Sequence, residues 1–198
     1  MGTISIEATH VGVIPVNGST VYSAAGHLLL IYTDDYGQEF VIRGGPEHDM
    51  PPFGKLVVEI DIPIEDSEDN RSIRDEDGYV IGTSTPEDRG SVVLDFGDRY
   101  HSDVWYILKQ YASIINSSNT NYDALGVNSN SLVYNLLSLV GVDVSNFLPV
   151  IPGIILGYTG RSQNIYIDSI FSGSDGDDLI SLREGSHSVD GGYGSDII

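Results

Sequence analysis

The chain has no cysteine in 198 residues, so disulfides and thiol chemistry are out from the start. It is also poor in positive charge, with 9 Lys and Arg against 29 Asp and Glu and a formal net charge of -20. Such a chain has no basic face for nucleic acid or for anionic membrane surfaces, and both are excluded as partners. It repels itself until cations bind, which suits a protein that folds where cations are plentiful. No apolar run reaches the ~20 residues that a membrane span needs. The greasiest stretch, FLPVIPGIILGY from Phe147 to Tyr158, is about half that length, so the chain is read as not transmembrane. Met1 to Pro15 has neither the basic start nor the apolar core of a secretory signal peptide. Hydrophobic residues make up 40% of the chain, enough for one globular core.

What is present begins as β structure. Thr3 to Pro15 alternates and is β-branched, which predicts a long strand or a strand pair. Leu28 to Tyr32 is a continuous apolar run that predicts a central strand buried on both faces. The turn Asp34-Asp35-Tyr36-Gly37 and the return Gln38 to Arg43 complete a hairpin. Lys55 to Ile64 reads as another strand, Glu65 to Gly78 as a charged exposed loop, and Tyr79 to Ser84 and Ser91 to Phe96 as short strands. Val104, Ile107, Leu108, Tyr111, Ile114 and Ile115 then fall at helical spacing behind a cap at Ser102 or Asp103. A second helix runs from near Asn128 through Val140, with Gly141 ending it. Val142 to Gly160 is irregular and apolar, and Asn164 to Phe171 alternates like a strand. Strands first and helices after predict an α+β domain over residues 1–171, with a mainly antiparallel sheet packed against two helices.

Residues 172–198 are of another kind. From Gly173 the chain reads GSDGDDLIS, LREGSHSVD, GGYGSDII. Stacked by nines, Gly176, Gly185 and Gly194 coincide, as do Asp178, His187 and Asp196, and Ile180, Val189 and Ile198. This is the Gly-Gly-x-Gly-x-Asp-x-apolar-x pattern of a parallel β-helix wound around Ca²⁺. Glycines allow the tight turn, Asp carboxylates and turn carbonyls are hard oxygen ligands, and the apolar residue points inward. Gly173, Asp175, Asp177, Asp178, Gly191, Gly194 and Asp196 are the candidate calcium residues. The alternative is an acidic, Gly-rich linker with no ion.

The segment resembles the calcium-binding repeats of RTX proteins. That resemblance implies export from a Gram-negative bacterium by the type I secretion machinery, which reads a C-terminal signal, and folding on extracellular calcium. The chain stops inside a repeat at an apolar position, so a longer parent with more turns is expected, or a partner chain that completes the last rungs.

Two places upstream can carry chemistry. His27 opens the buried strand after Gly26, and Asn128-Ser129-Asn130-Ser131 opens the second helix. A nucleophile at a helix N-terminus sits in a positive field beside unpaired backbone N–H groups, which can stabilise an oxyanion. A nearby His can deprotonate it. The bland readings are a satisfied core histidine and a plain N-cap, since Asn and Ser are preferred caps. His10, His48 and His101 show no ligand spacing and read as loop or surface residues.

Gly26 to Tyr32 and Asn128 to Val133 resemble two pieces of the circularly permuted papain-like enzymes, which include NlpC-type peptidases and the lecithin:retinol acyltransferase group. In that family a His-bearing strand precedes a helix whose start carries the nucleophile, a cysteine. Here Ser129 stands at the cysteine position, with Asn128, Asn130 and Ser131 around it as cap or oxyanion residues. The resemblance implies a hydrolase or acyltransferase acting on amide, peptide or ester bonds in peptide, peptidoglycan or lipid. His27 would be the base, and a third polar residue would orient it. Glu39 is expected in that role, with Arg43 the other candidate on the returning strand. Ser129 as a true nucleophile, as an engineered inactive substitution, or as the mark of a non-catalytic binding module all stay open. The last corresponds to an adhesin, surface or toxin-associated domain.

Overall fold

The structure is a computed structural model. It describes the chain except residues 1, 11–12, 17–18, 23–24, 49–50, 68, 70–71, 75–79, 84–88, 152–156, 166–168 and 183–185. Parts of the expected 65–78 loop, the ends of the 79–84 strand, residues 152–156 of the 142–160 apolar segment, residues 166–168 of the expected 164–171 strand and the repeat position Gly185 therefore lie outside the described residues.

Five strands form the main sheet: β1 (Thr3–His10), β4 (Gly26–Thr33), β5 (Glu39–Pro46), β6 (Leu56–Pro63) and β9 (Gly90–Val93). Their order is β6-β5-β4-β1-β9, all antiparallel, with the apolar run Leu28 to Tyr32 in the central strand as its composition requires. β2 (Val13–Val16) pairs with β3 (Ser19–Tyr22), and β7 (Ser72–Arg74) pairs with β8 (Val80–Thr83), as separate ribbons. Helices α1 (His101–Ser117) and α2 (Ser129–Leu139) complete the α+β fold. Among the described residues no helix is long and apolar enough to cross a membrane.

Alternation along β1 assigns the two faces of the sheet. Ile4, Ile6 and Ala8 join Leu28, Leu30 and Ile42 in the main core with the buried faces of α1 and α2. On the opposite face Ser5, Glu7 and Thr9 lie across from Ile31, Leu29 and His27. There Leu29, Ile31, Val41 and Ile64 make a smaller second core. Beside it Arg89 Nε donates to Glu7 Oε2 at 2.6 Å.

α1 covers its expected span, but its cap residue is Tyr100, with no side-chain cap bond from Ser102 or Asp103. The expected exposed loop after β6 differs more. Ser67 and Asp69 are buried, because the chain turns through the short 3-10 helix Ile64–Asp66 and folds back over the sheet.

At the C-terminal end β10 (Ser169–Ser172) pairs in parallel with β11 (His187–Asp190), residue for residue at an offset of 18. Leu179 and Ile197 form a parallel bridge at the same offset. The described residues contain this one coil-on-coil pairing rather than a continued parallel β-helix. Phe171 and Ile180 are buried in the main core, and Phe171 stands edge-on to Tyr111 of α1.

Candidate active site

β4 and β5 are paired from Thr33↔Glu39 to Leu30↔Ile42 and then separate, while β5 keeps its pairing with β6. The N-terminus of α2 fills the gap. On one side Asn130 replaces the missing strand: its Oδ1 accepts the Leu28 N–H at 2.8 Å and its Nδ2 donates to the Gly26 carbonyl at 3.0 Å. These two bonds bracket His27. On the other side a Cβ at Gly44 would lie 3.3 Å from Ser129 Cα and 3.1 Å from Leu132 Cδ2, so a larger residue there would push the helix start back by a few tenths of an ångström.

The helix start is a full capping box. Asn128 Oδ1 accepts the N–H groups of Asn130 and Ser131 at 2.9 and 3.3 Å, and the Asn128 N–H donates to Ser131 Oγ at 3.1 Å. Ser131 Oγ in turn donates to the Gly160 carbonyl at 2.6 Å. Gly160 has φ +73°, and a Cβ there would collide with the Gly126 carbonyl, so the turn that backs the cap requires glycine. The cap corrects one expectation: the N–H groups of Asn130 and Ser131 serve the helix and are not oxyanion donors. The N–H of Ser129 itself, the first helical residue, is the one the cap leaves over.

Within this frame Ser129 Oγ lies 2.7 Å from His27 Nδ1, and His27 Nε2 lies 3.1 Å from Asp69 Oδ2. A ring nitrogen facing a carboxylate carries the proton, so Nε2–H donates to Asp69 and Nδ1 is left to accept the Ser129 hydroxyl proton. The nitrogens are used in the opposite order from a trypsin-type triad. Both residues are nearly enclosed, with His27 8% and Ser129 4% exposed.

The orienting residue is therefore Asp69 and not Glu39. Glu39 sits opposite Thr33 at the turn end of the hairpin and meets Arg89 Nη2 at 3.4 Å. Arg43, the other candidate, reaches the site indirectly: its Nε is 2.5 Å from Asp69 Oδ2 and its Nη1 3.5 Å from Glu59 Oε2. Thr9, paired with His27 across the sheet, donates its hydroxyl to Asp69 Oδ1 at 3.2 Å. Burial alone would push the Asp69 carboxyl up. The His27 ring, the Arg43 guanidinium and the Thr9 hydroxyl outweigh it and hold the carboxyl well below the usual carboxylate range.

Tyr122 is a further member that the sequence reading missed. The Lys55–Asn121 bridge and the edge-on contact of Phe53 with Tyr122 hold the segment, which brings the phenol near the Ser129 side chain. Burial pushes the Tyr122 hydroxyl up in spite of Ser129 and of Arg43, so it stays a neutral donor. The tyrosine count alone carried no signal for it. Of the remaining histidines only exposed His48 lies in a loop; His10 ends β1 and His101 starts α1.

The repeat residues show a second pattern. Asp178 Oδ2 accepts the Ser174 N–H at 2.6 Å, Asp196 Oδ1 accepts the Asp178 N–H at 3.1 Å, and Asp177 Oδ1 accepts the Ser195 N–H at 2.7 Å. The Gly173 N–H donates to the Asp190 carbonyl at 2.7 Å, and Gly191 and Gly194 pass close to the coil below. Asp175 is exposed. Burial pushes the Asp178 carboxyl up, and the charges of Asp196 and Asp103 add to this. The donors are the hard oxygens that Ca²⁺ prefers, and the excess negative charge suits a cation. Among the described residues, however, no three His, Asp or Glu side chains converge as a metal-binding group.

No protein family, curated protein or solved structure matches this chain.

Proposed function

We propose that the chain is a hydrolase or acyltransferase for amide, peptide or ester bonds, with Ser129 as nucleophile, His27 as base and Asp69 as the residue that orients it. The observation carrying this reading is the unbroken line from Ser129 Oγ to His27 Nδ1 at 2.7 Å and from His27 Nε2 to Asp69 Oδ2 at 3.1 Å. Both distances fall in the range for proton transfer between a nucleophile, its base and the orienting group. Ser129 Oγ attacks the substrate carbonyl as its proton passes to Nδ1. Asp69, kept ionised by Arg43, stabilises the imidazolium. Nδ1–H then protonates the leaving amine or alcohol, and water or a second acceptor releases the acyl group from Ser129. The Ser129 N–H and the Tyr122 hydroxyl are the available oxyanion donors. The order of a His strand before a nucleophile helix supports the permuted papain-like resemblance, with serine in place of cysteine.

The 18-residue parallel register supports the reading of residues 172–198 as RTX-type calcium repeats, and with it a secreted, extracellular protein exported by type I secretion.

The test is labelling by a fluorophosphonate probe, which reacts with activated serines. Wild type should label at one site, Ser129→Ala not at all, and His27→Ala slower by about 10²–10⁴-fold. A second reading has its own support: Ser129 is almost fully enclosed and its hydroxyl is already bonded to His27. In that case the constellation is a structural polar network in a non-catalytic secreted module. Absence of labelling in a folded wild-type chain would decide for it.

A further inference from the structure

Asp69 is held in a closed ring of contacts that runs through Arg43, Glu59 and Ser67. Arg43 lies directly across from Glu59 in the β5–β6 register, past the point where β5 has parted from β4. Its Nη1 is 3.5 Å from Glu59 Oε2. That same carboxylate oxygen accepts the Ser67 hydroxyl at 3.2 Å, and Ser67 Oγ accepts the Asp69 N–H at 3.3 Å. Arg43 Nε closes the ring at 2.5 Å from Asp69 Oδ2. Ser67, which is fully buried, therefore fixes the backbone of Asp69 while Arg43 fixes its side chain.

Asp69 Oδ2 is also the oxygen that faces His27 Nε2 at 3.1 Å. One buried carboxylate oxygen thus meets two groups that can carry positive charge. Burial pushes the Asp69 carboxyl up, and the charges of the His27 ring and of Arg43 hold it down. The two charges are not equivalent. A guanidinium carries its charge permanently, whereas an imidazole gains one only by taking a second proton. Without Arg43, the buried carboxylate would draw that second proton onto His27. Nδ1 would then have no lone pair for the Ser129 hydroxyl. The neighbouring charges leave this balance in place. Glu59 is more exposed than Asp69 and farther from Arg43, so Arg43 serves chiefly Asp69. On the same face Arg89 lies between Glu7 and Glu39, and Thr9 and Tyr122 come to the site as neutral hydroxyls.

We propose that Arg43 is a positioning residue for the reaction assigned to Ser129. It supplies the permanent countercharge of Asp69, so that His27 stays neutral, with its proton on Nε2 and Nδ1 open to the nucleophile. This rests on the reading of Ser129 as nucleophile and His27 as base, and adds which residue sets the state of that base. Arg43 acts through Asp69.

The experiment reads the His27 ring directly, in ¹⁵N spectra of the imidazole nitrogens of the full chain at pH 7. The signals of His27 are those missing from His27→Gln. Wild type should show Nε2 protonated and Nδ1 unprotonated. Arg43→Met should show both nitrogens protonated, and Arg43→Lys, which returns the charge, should restore the wild-type pattern. Arg43→Gln carries the same charge prediction as Arg43→Met and replaces it if that variant does not fold. Fluorophosphonate labelling is the second readout. Its rate in Arg43→Met should fall about 10-fold or more at pH 7 and recover as pH rises and His27 gives up the extra proton. A loss equal at every pH would mark a structural defect and overturn the proposal. A His27 ring that keeps its wild-type pattern in folded Arg43→Met would overturn it as well. The expected ring states in a wild-type chain that never labels would sink the reaction at Ser129 and still support the charge role of Arg43, so the two failures are told apart.

Discussion

Asp69 shows how a single side chain decides the state of the candidate site. It accepts from Thr9 and His27 and is ion-paired with Arg43, and its carboxyl is held well below the usual range despite burial. A carboxyl depressed in the folded state stabilises the fold above its ordinary pKa of about 3.9, and this contribution is lost as pH falls through the folded value. Asp69→Asn should therefore cost about 3–5 kcal/mol at pH 7, because the buried Arg43 loses its closest charge partner and keeps the longer contact with Glu59. Urea midpoints of variant and wild type should draw together as pH drops below about 4; a gap that stays constant with pH would remove the charge argument. Ser129 allows a second test at this scale. Its hydroxyl is a far weaker acid than a thiol, so Ser129→Cys converts a hard-to-ionise group into one that His27 can ionise readily. The chain has no other cysteine, so alkylation of the variant reports that position alone. The rate with iodoacetamide should hold up well below the ordinary thiol pKa of about 8.5. A rate that falls away there as for a free thiol would mean that His27 does not activate position 129.

Among the elements, α2 is the one whose placement makes the site, and it acts through its first turn. Asn130 bonds the β4 backbone at Gly26 and Leu28, on either side of His27, so the helix and His27 are registered by one amide. Removing it leaves the Leu28 N–H and the Gly26 carbonyl unpaired in a buried place, at about 1–3 kcal/mol. Asn128→Ala loses a cap instead, at about 0.5–2 kcal/mol, without touching β4. Asn130→Ala should consequently depress fluorophosphonate labelling by more than its stability loss explains, while Asn128→Ala should track stability alone. Equal behaviour of the two variants, measured by labelling rate against urea midpoint, would contradict the registration role. The contrast also marks what could be read beforehand. β4, its hairpin and both helices follow from local pattern: a continuous apolar run, a turn tetrapeptide, 3.6-residue spacing and an Asn-Ser cap. His27 and Ser129 were legible because each sits at the mouth of such an element. Asp69 was not, since it lies 42 residues from its partner in a charged stretch that reads as exposed. Nothing local announces that the chain folds back there over the second face of the sheet. Glu39 was favoured because hairpin neighbours are the partners that sequence makes visible, whereas β4 and β5 have already parted where His27 needs one.

For the molecule as a whole, the question is whether the repeat coil and the sheet–helix core stand or fall together. Phe171 and Ile180 belong to the main hydrophobic core, Tyr111 packs edge-on against Phe171, and Gln110 Nε2 donates to the Ser172 carbonyl at 3.0 Å. The coil is therefore part of the wall that covers α1. Trp105, the one tryptophan, is buried on that same helix, stacked on Tyr32 and bonded to Asp61, so its fluorescence follows the core. Phe171→Ala removes a fully enclosed ring and should cost about 3–5 kcal/mol, seen as a lowered midpoint of the Trp105 transition. The proposed Ca²⁺ binding would act on the same equilibrium from the other side. If the ion binds the folded coil alone it stabilises by mass action, about 2.7 kcal/mol at a hundredfold excess over its dissociation constant. Because the coil shares its core with α1, that gain should raise the Trp105 midpoint as well as the β signal of the repeats. Asp178→Ala should abolish the calcium-dependent part, and it should also lower the midpoint in chelator by about 1–3 kcal/mol because the Ser174 N–H loses its acceptor. A Trp105 transition indifferent to both Phe171→Ala and calcium would show a coil that unfolds independently. Its parallel register would then be a local feature, unable to report on cation binding to the rest of the chain.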